Sequence, residues 1–240
     1  IDGPELHERL TRSADGSYVF TEPPGLRHDG SLVADAVQSL GTLQAARWIA
    51  TAEEPRHGFT TPRLRVTARL GNGTTHELVI GAPAEDGVFA RLAADPAVFV
   101  LGAATLADLE TPLVDRALCP FPRAELSRIE LRQRRTLTLV RSGDGWQGGN
   151  LTPDKAAELV ETLSALRAEQ AVHLGAAKPN EGFGKPSAVI TFTGAQGQAV
   201  RLDLGERRSI GEQPVVLARL EGVDATFALA ARTAEQLLPP

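Results

Sequence analysis

Between residues 31 and 44 the apolar positions fall at Val33, Ala36, Val37, Leu40 and Leu43, a three-and-four spacing that lays one stripe along a helix. The same phase returns at Ala156, Leu159, Val160, Leu163 and Leu166, each 123 positions further on. Thr152 before Pro153 supplies a capping hydroxyl and a ring suited to the first helical position, and Asp29 or Ser31 takes the capping role in the first helix. Around both helices the period falls to two. Leu64, Val66 and Ala68 alternate with Arg63, Arg65, Thr67 and Arg69, which predicts a strand with one wet face, and Val189, Ile190, Thr191 and Phe192 form its counterpart. Turn residues at Gly71, Asn72 and Gly73, and at Gly194 and Gly197, predict two hairpins with return strands over 76–80 and 200–204. Gly81 and Gly205 close those strands and are expected to supply a backbone angle that glycine adopts at little cost.

These matches belong to a longer internal repeat. Gly58-Phe59-Thr60-Thr61-Pro62 recurs as Gly182-Phe183-Gly184-Lys185-Pro186, an offset of 124 that also relates Thr67 to Thr191, Gly73 to Gly197 and Leu78 to Leu202. Further on the offset is 128, since Arg91-Leu92 matches Arg219-Leu220 and Phe99 matches Phe227; the four added residues are expected in a surface loop over 207–213. Tyr18 and Trp146 each follow an Asp-Gly pair, Asp15-Gly16 and Asp144-Gly145, read as hairpin turns. Thr105 and Thr233 are candidate caps for a short helix ending each copy, with Leu109 and Leu237 on the buried side. The predicted fold is α+β: two homologous repeats, each an antiparallel sheet packed against one long helix plus a short C-terminal helix. The expected boundaries are 1–123, ending in a stiff linker over 116–123 that carries Pro120 and Pro122, and 124–240. Leading strands over 129–131 and 136–140 have no full counterpart before Glu5, so an N-terminal strand of the first copy is expected to have been removed.

Composition narrows the partners. Lys and Arg number 25 against 30 Asp and Glu, a net charge of −5 with the signs interspersed, so no basic track for nucleic acid is present. An apolar share of 42% and a charged share of 23% are those of an ordinary globular chain. No apolar run reaches the ~18 residues of a membrane span. The chain contains no methionine, which points to a processed or truncated product whose upstream anchor lies elsewhere. Cys119 is the single cysteine, excluding an internal disulfide or a thiolate metal cluster, and reads as a small buried hydrophobe.

No catalytic, cofactor-binding or metal-binding residues are assigned from the sequence. Residues 143–148, Gly-Asp-Gly-Trp-Gln-Gly, match a dinucleotide fingerprint in form, but Trp146 takes a strand position and the helix waits until Thr152, so the segment reads as a hairpin turn. His7, His28, His57, His76 and His173 lack the spacing of a metal helix and are read as surface or turn residues. No serine has a recognisable base, and the tripeptides at Asn72 and Asn150 are short enough to arise by chance. Arg132, Arg134 and Arg135 form a basic knot at a hairpin. The acidic pairs Glu53-Glu54 and Glu85-Asp86 are the only material for carboxylate chemistry, and strand neighbours point to opposite faces.

Three features together resemble the bacterial family known as domain of unknown function 4340. They are the Gly-Phe-x-x-Pro turn in both halves, the Asp-Gly-Tyr/Trp opening of each unit, and Asp115-Arg116-Ala117-Leu118 leading through Pro120-Phe121 to Ser127-Arg128-Ile129-Glu130-Leu131. The resemblance covers the chain from about Glu8 onward. It implies an N-terminal membrane helix ahead of a periplasmic repeat region, anchored in the bacterial inner membrane and often encoded beside an ABC-type transporter of the gliding-motility kind. The implied partners are the transporter permease or its auxiliary ectodomain subunit, with no cofactor. Gly58, Phe59, Pro62, Gly182, Phe183 and Pro186 are read as structural. The leading functional expectation is a non-enzymatic accessory binding domain; the alternatives are a cell-envelope hydrolase with a site between the repeats and a purely structural spacer.

Overall fold

Asp29 decides where the first long helix begins: its carboxylate accepts from the Ser31 N–H at 3.1 Å, capping α1 (Gly30–Gly41). A computed structural model of the chain describes residues 1–237 and divides it into two units, Ile1–Asp115 and Arg116 onward. The fold is mixed α and β, with four helices and several antiparallel sheets among the described residues.

In the first unit a hairpin, β1 (Arg9–Arg12) and β2 (Tyr18–Glu22), precedes α1. After it come β3 (Arg47–Ala50), β4 (Leu64–Arg69), β5 (Thr75–Ala84), β6 (Gly87–Leu92), β7 (Val98–Leu101) and α2 (Ala103–Glu110). The sheet order is β3-β7-β6-β5-β4, all antiparallel, with β1-β2 a separate two-stranded sheet. Val33 and Ala36 carry the helix stripe into the core, each such valine contributing roughly 1.5–3 kcal/mol of burial. Val37, on the predicted stripe, is instead 46% exposed, so the buried part of the stripe is narrower than the period alone implies.

In the second unit, β8 (Leu126–Arg132), β9 (Thr136–Ser142) and β10 (Gly145–Gly148) lead into α3 (Pro153–Ser164). They are followed by β11 (Gln170–Leu174), β12 (Ala188–Gly194), β13 (Ala199–Ile210), β14 (Gln213–Leu220), β15 (Ala225–Ala230) and α4 (Ala231–Leu237). One eight-stranded sheet results, ordered β10-β9-β8-β12-β13-β14-β15-β11. Thr152 caps α3 as expected, and Ala156, Val160 and Leu163 are buried. Residues 116–118 are tied to this unit by backbone bonds from Leu118 to Leu166 and from Ala168 to Arg116, each 2.8 Å.

Four local expectations are corrected. Thr105 and Thr233 lie inside α2 and α4 and cap neither; Gly102, with extended backbone, starts α2. The added residues near 207–213 extend a hairpin rather than a loop, pairing Arg207 with Val216 and Ile210 with Gln213. The second Asp-Gly turn is carried by Gly143, at φ 59°, while Gly145 is already in β10 paired with Ser142. Gly81 and Gly205 do not close strands. They sit inside β5 and β13 beside register shifts, and what they supply is space: an added Cβ would lie 2.0 Å from the His57 carbonyl oxygen at Gly81 and 2.1 Å from the Glu181 carbonyl oxygen at Gly205.

Candidate functional site: arginine hollows beside the Gly-Phe turns

Each Gly-Phe turn closes a short 3-10 helix, Pro55–His57 in the first unit and Pro179–Glu181 in the second. The glycine follows in left-handed backbone, φ 75° at Gly58 and 82° at Gly182, a conformation that disfavours any side chain. The residue before it performs one task with two chemistries. His57 Nδ1 accepts from the Glu54 N–H at 2.9 Å, and Glu181 Oε2 accepts from the Lys178 N–H at 2.8 Å. Both turns then drop onto a strand where glycine leaves room, so Phe59 lies against Gly81 and Phe183 against Gly205.

His57 and His173 are buried, which corrects their reading as surface residues. His57 sits among Phe59 and Phe89, its ring centroid 4.8 Å from that of Phe89, and its Nε2 has no hydrogen-bond partner. His173 faces oxygen at both nitrogens, the Leu174 carbonyl at 3.1 Å from Nδ1 and Glu181 Oε1 at 2.6 Å from Nε2. Glu181 Oε2 also accepts from the Thr226 hydroxyl at 3.0 Å. Burial pushes the Glu181 carboxyl up, but hydrogen bonds from the Lys178 N–H, His173 and Thr226 outweigh it and hold the group below its ordinary value.

The network continues to the surface. Arg219 on β14 donates from Nη1 to Thr226 Oγ1 at 3.2 Å and to the Gly175 carbonyl at 2.9 Å, and from Nη2 to Asp224 at 3.0 Å. Its guanidinium walls an open hollow of about 460 Å³ shared with Phe183, Arg201, Asp203, Glu221 and Asp224. Arg201 is held in turn by Asp203 at 2.6 Å. A hydrogen-bond chain thus runs from the buried His173 through Glu181 and Thr226 to an arginine on the surface.

The first unit holds a smaller hollow of about 350 Å³, lined by Ala52, Glu53, Arg91, Ala93, Ala94 and Pro96. Arg91 lies over the Phe59 ring at 5.4 Å and pairs with Glu53 at 3.0 Å. Ala177 also lines the hollow of the second unit. Arg91 Nη1 also donates to the Leu92 and Ala93 carbonyls, each at 3.4 Å; the planar guanidinium is a group suited to carboxylates and backbone carbonyls.

The other candidates disperse. Glu54 pairs with Arg56 and Asp86 with Arg47, each at 3.0 Å on the surface, so neither acidic pair converges on a common point. Cys119 is buried and donates to the Phe121 carbonyl at 3.3 Å, and burial pushes its thiol pKa up. Among the described residues no group of three or more His, Cys, Asp or Glu side chains could hold a metal ion, and no helix is long and apolar enough to cross a membrane. The sequence pairs Arg91 with Arg219 by the offset of 128 but assigns neither a role, because the residues around them come together only through the fold.

Searches of curated proteins and of solved structures return no match to the chain. The family model described as Domain of unknown function (DUF4340) matches residues 19–186, and the chain belongs to that family.

Proposed function

We propose that this chain is a non-enzymatic, extracytoplasmic binding domain of a membrane-anchored protein, and that it engages a protein partner through its arginine hollows. The observation that carries this reading is Arg219, fixed by three acceptors at the wall of an open hollow, with Arg91 held on Phe59 at the matching place of the other unit. Guanidinium groups held in advance lose little freedom on binding, and arginine is among the residues that dominate interface energies. Mixed charge around the second hollow, from Arg201, Asp203, Glu221 and Asp224, suits a polypeptide surface with groups of both signs.

Two homologous repeats underlie the pair of hollows. The offsets of 124 and 128, the equivalent tasks of His57 and Glu181, and the shared use of Gly81 and Gly205 support that duplication. The partner is the permease of an ABC-type transporter, or its auxiliary ectodomain subunit, at the periplasmic face of the inner membrane. Crosslinking in native membranes followed by purification tests this: the permease is recovered with the unaltered protein and reduced at least tenfold with Arg91→Ala plus Arg219→Ala. Equal recovery from both overturns the reading.

A further inference from the structure

Three arginines stand together at one hairpin tip of the second unit. Arg132 ends β8 opposite Thr136 of β9, and the turn between them is Gln133-Arg134-Arg135, closed by a hydrogen bond from the Gln133 N–H to the Arg135 carbonyl at 3.1 Å. Every residue from 132 to 136 is exposed. Arg132, Arg134 and Arg135 have no carboxylate partner among the described residues. Glu130, the nearest acid along β8 and on the same face as Arg132, is taken by Arg128 at 2.9 Å. Lys185, exposed and likewise without a carboxylate partner, stands three residues ahead of β12, at the end of the sheet where Val189 pairs with Arg132.

The cluster runs against the charge of the chain, which is −5 overall. Many exposed arginines elsewhere are matched, among them Arg47 with Asp86, Arg63 with Glu110 and Arg207 with Glu235. A turn at such a place does not require arginine either. The first unit closes a short hairpin between Asp2 and His7 with Gly3, Pro4, Glu5 and Leu6. Like charges crowded on one turn repel one another, and a bound anion relieves that repulsion.

The arrangement also selects the kind of anion. Successive residues of a hairpin point to different faces, so a partner lying against one face of the sheet would reach only part of the set, whereas a plane met end-on reaches all three. No intramolecular ion pair fixes these guanidinium groups, in contrast to Arg219, which suits phosphates that rearrange around them better than a rigid array. The tip itself, Arg-Gln-Arg-Arg-Thr over 132–136, carries no apolar side chain. Contact is therefore electrostatic and stops at the headgroups, without the apolar anchor that insertion needs.

We infer that the hairpin tip of the second unit, through Arg132, Arg134 and Arg135, binds the anionic lipid headgroups of a membrane surface, end-on and without insertion. This surface is separate from the arginine hollows and does not rest on them.

The test is co-sedimentation of the chain with vesicles of phosphatidylcholine and about 30% phosphatidylglycerol, against phosphatidylcholine alone, in about 20 mM salt, where charges are screened over roughly 20 Å. Expected is binding to the anionic vesicles only, reversed by about 0.5 M salt. Each basic residue near such a surface contributes about fivefold in affinity, so Arg132→Gln, Arg134→Gln and Arg135→Gln together lose on the order of a hundredfold. Arg47→Gln, Arg63→Gln and Arg207→Gln together change the net charge equally but remove ion-paired arginines, and stay within about threefold of the unaltered chain. A dye on Gln133→Cys is quenched by headgroup-labelled lipid, and the same dye on Ser142→Cys, at the other end of β9, is not. No sedimentation with anionic vesicles, equal binding to both kinds, or equal loss in the two triple variants overturns the inference. So does displacement by millimolar inorganic phosphate, which would assign the tip to a free anion, or by an equal charge of poly-glutamate, which would assign it to an acidic protein.

Discussion

Glu181 Oε1 lies 2.6 Å from His173 Nε2, with both side chains shut away from solvent. Glu181 also takes the hydrogen bonds of Lys178 and Thr226, so one carboxylate serves as the acceptor for a turn, a strand and a buried ring. Removing one partner of such a set leaves the others desolvated and unpaired. Glu181→Ala is expected to destabilise the second unit by about 3–5 kcal/mol, read by urea denaturation. A loss below about 1 kcal/mol would contradict the role assigned to this group.

The same carboxylate makes stability depend on acid. Its folded pKa is depressed by its hydrogen bonds, so its contribution is present above the ordinary glutamate pKa and is lost as pH falls through the lower, folded value. The second unit should therefore lose stability on the acid side of the usual carboxylate range. Glu181→Gln, compared with the unaltered chain from pH 6 down to pH 3, should show a flatter decline, and parallel curves would refute the linkage.

Glu8 behaves in the opposite sense. It is 2% exposed, Oε1 has no partner and Oε2 accepts from the Leu113 N–H at 3.1 Å; burial dominates and raises its pKa to about 7. A raised carboxyl pKa means that the folded form holds the proton more tightly, so stability is full below the unfolded value near 4.5 and falls as pH rises to about 7. The loss is on the order of 3 kcal/mol. Glu8→Gln keeps an acceptor for Leu113 without the charge, and should leave the first unit more stable than the unaltered chain at pH 8 but not at pH 4.5. Denaturation midpoints at the two pH values decide it.

Gly81 and Gly205 face backbone oxygens at distances no Cβ can share, and those oxygens belong to the residues just before the Gly-Phe turns. Gly81→Ala and Gly205→Ala should each cost more than about 3 kcal/mol, because backbone on both sides would have to move. Gly30→Ala, where nothing lies within 4 Å of the added carbon, should stay within about 0.5 kcal/mol. Thermal unfolding of the three variants separates a steric requirement from a general penalty for losing glycine.

Much of the local structure was legible along the chain because it depends on near neighbours. The stripe of Val160 and Leu163, the cap at Thr152 and the alternation of Leu64 and Val66 with their arginines all appear where the period placed them. The mixed α and β class follows from the same switches of period. What depends on distant residues was not readable. Residue type made Thr105 and Thr233 resemble caps, yet α2 starts at Ala103 and α4 at Ala231, two residues earlier in each case. Glycine in a strand looks the same whether it serves an angle or a gap, and only the approach of His57 and Glu181 identifies the gap. His57 and His173 offered no spacing to read, since their burial is set by strands brought together across the sheet. The link from Glu181 through Thr226 to Arg219 spans residues that are neighbours only after β14 and β15 pair. Periodicity encodes which face of an element is apolar; which side chains meet across faces is decided by sheet order and register, and the arginine hollows arise at that level.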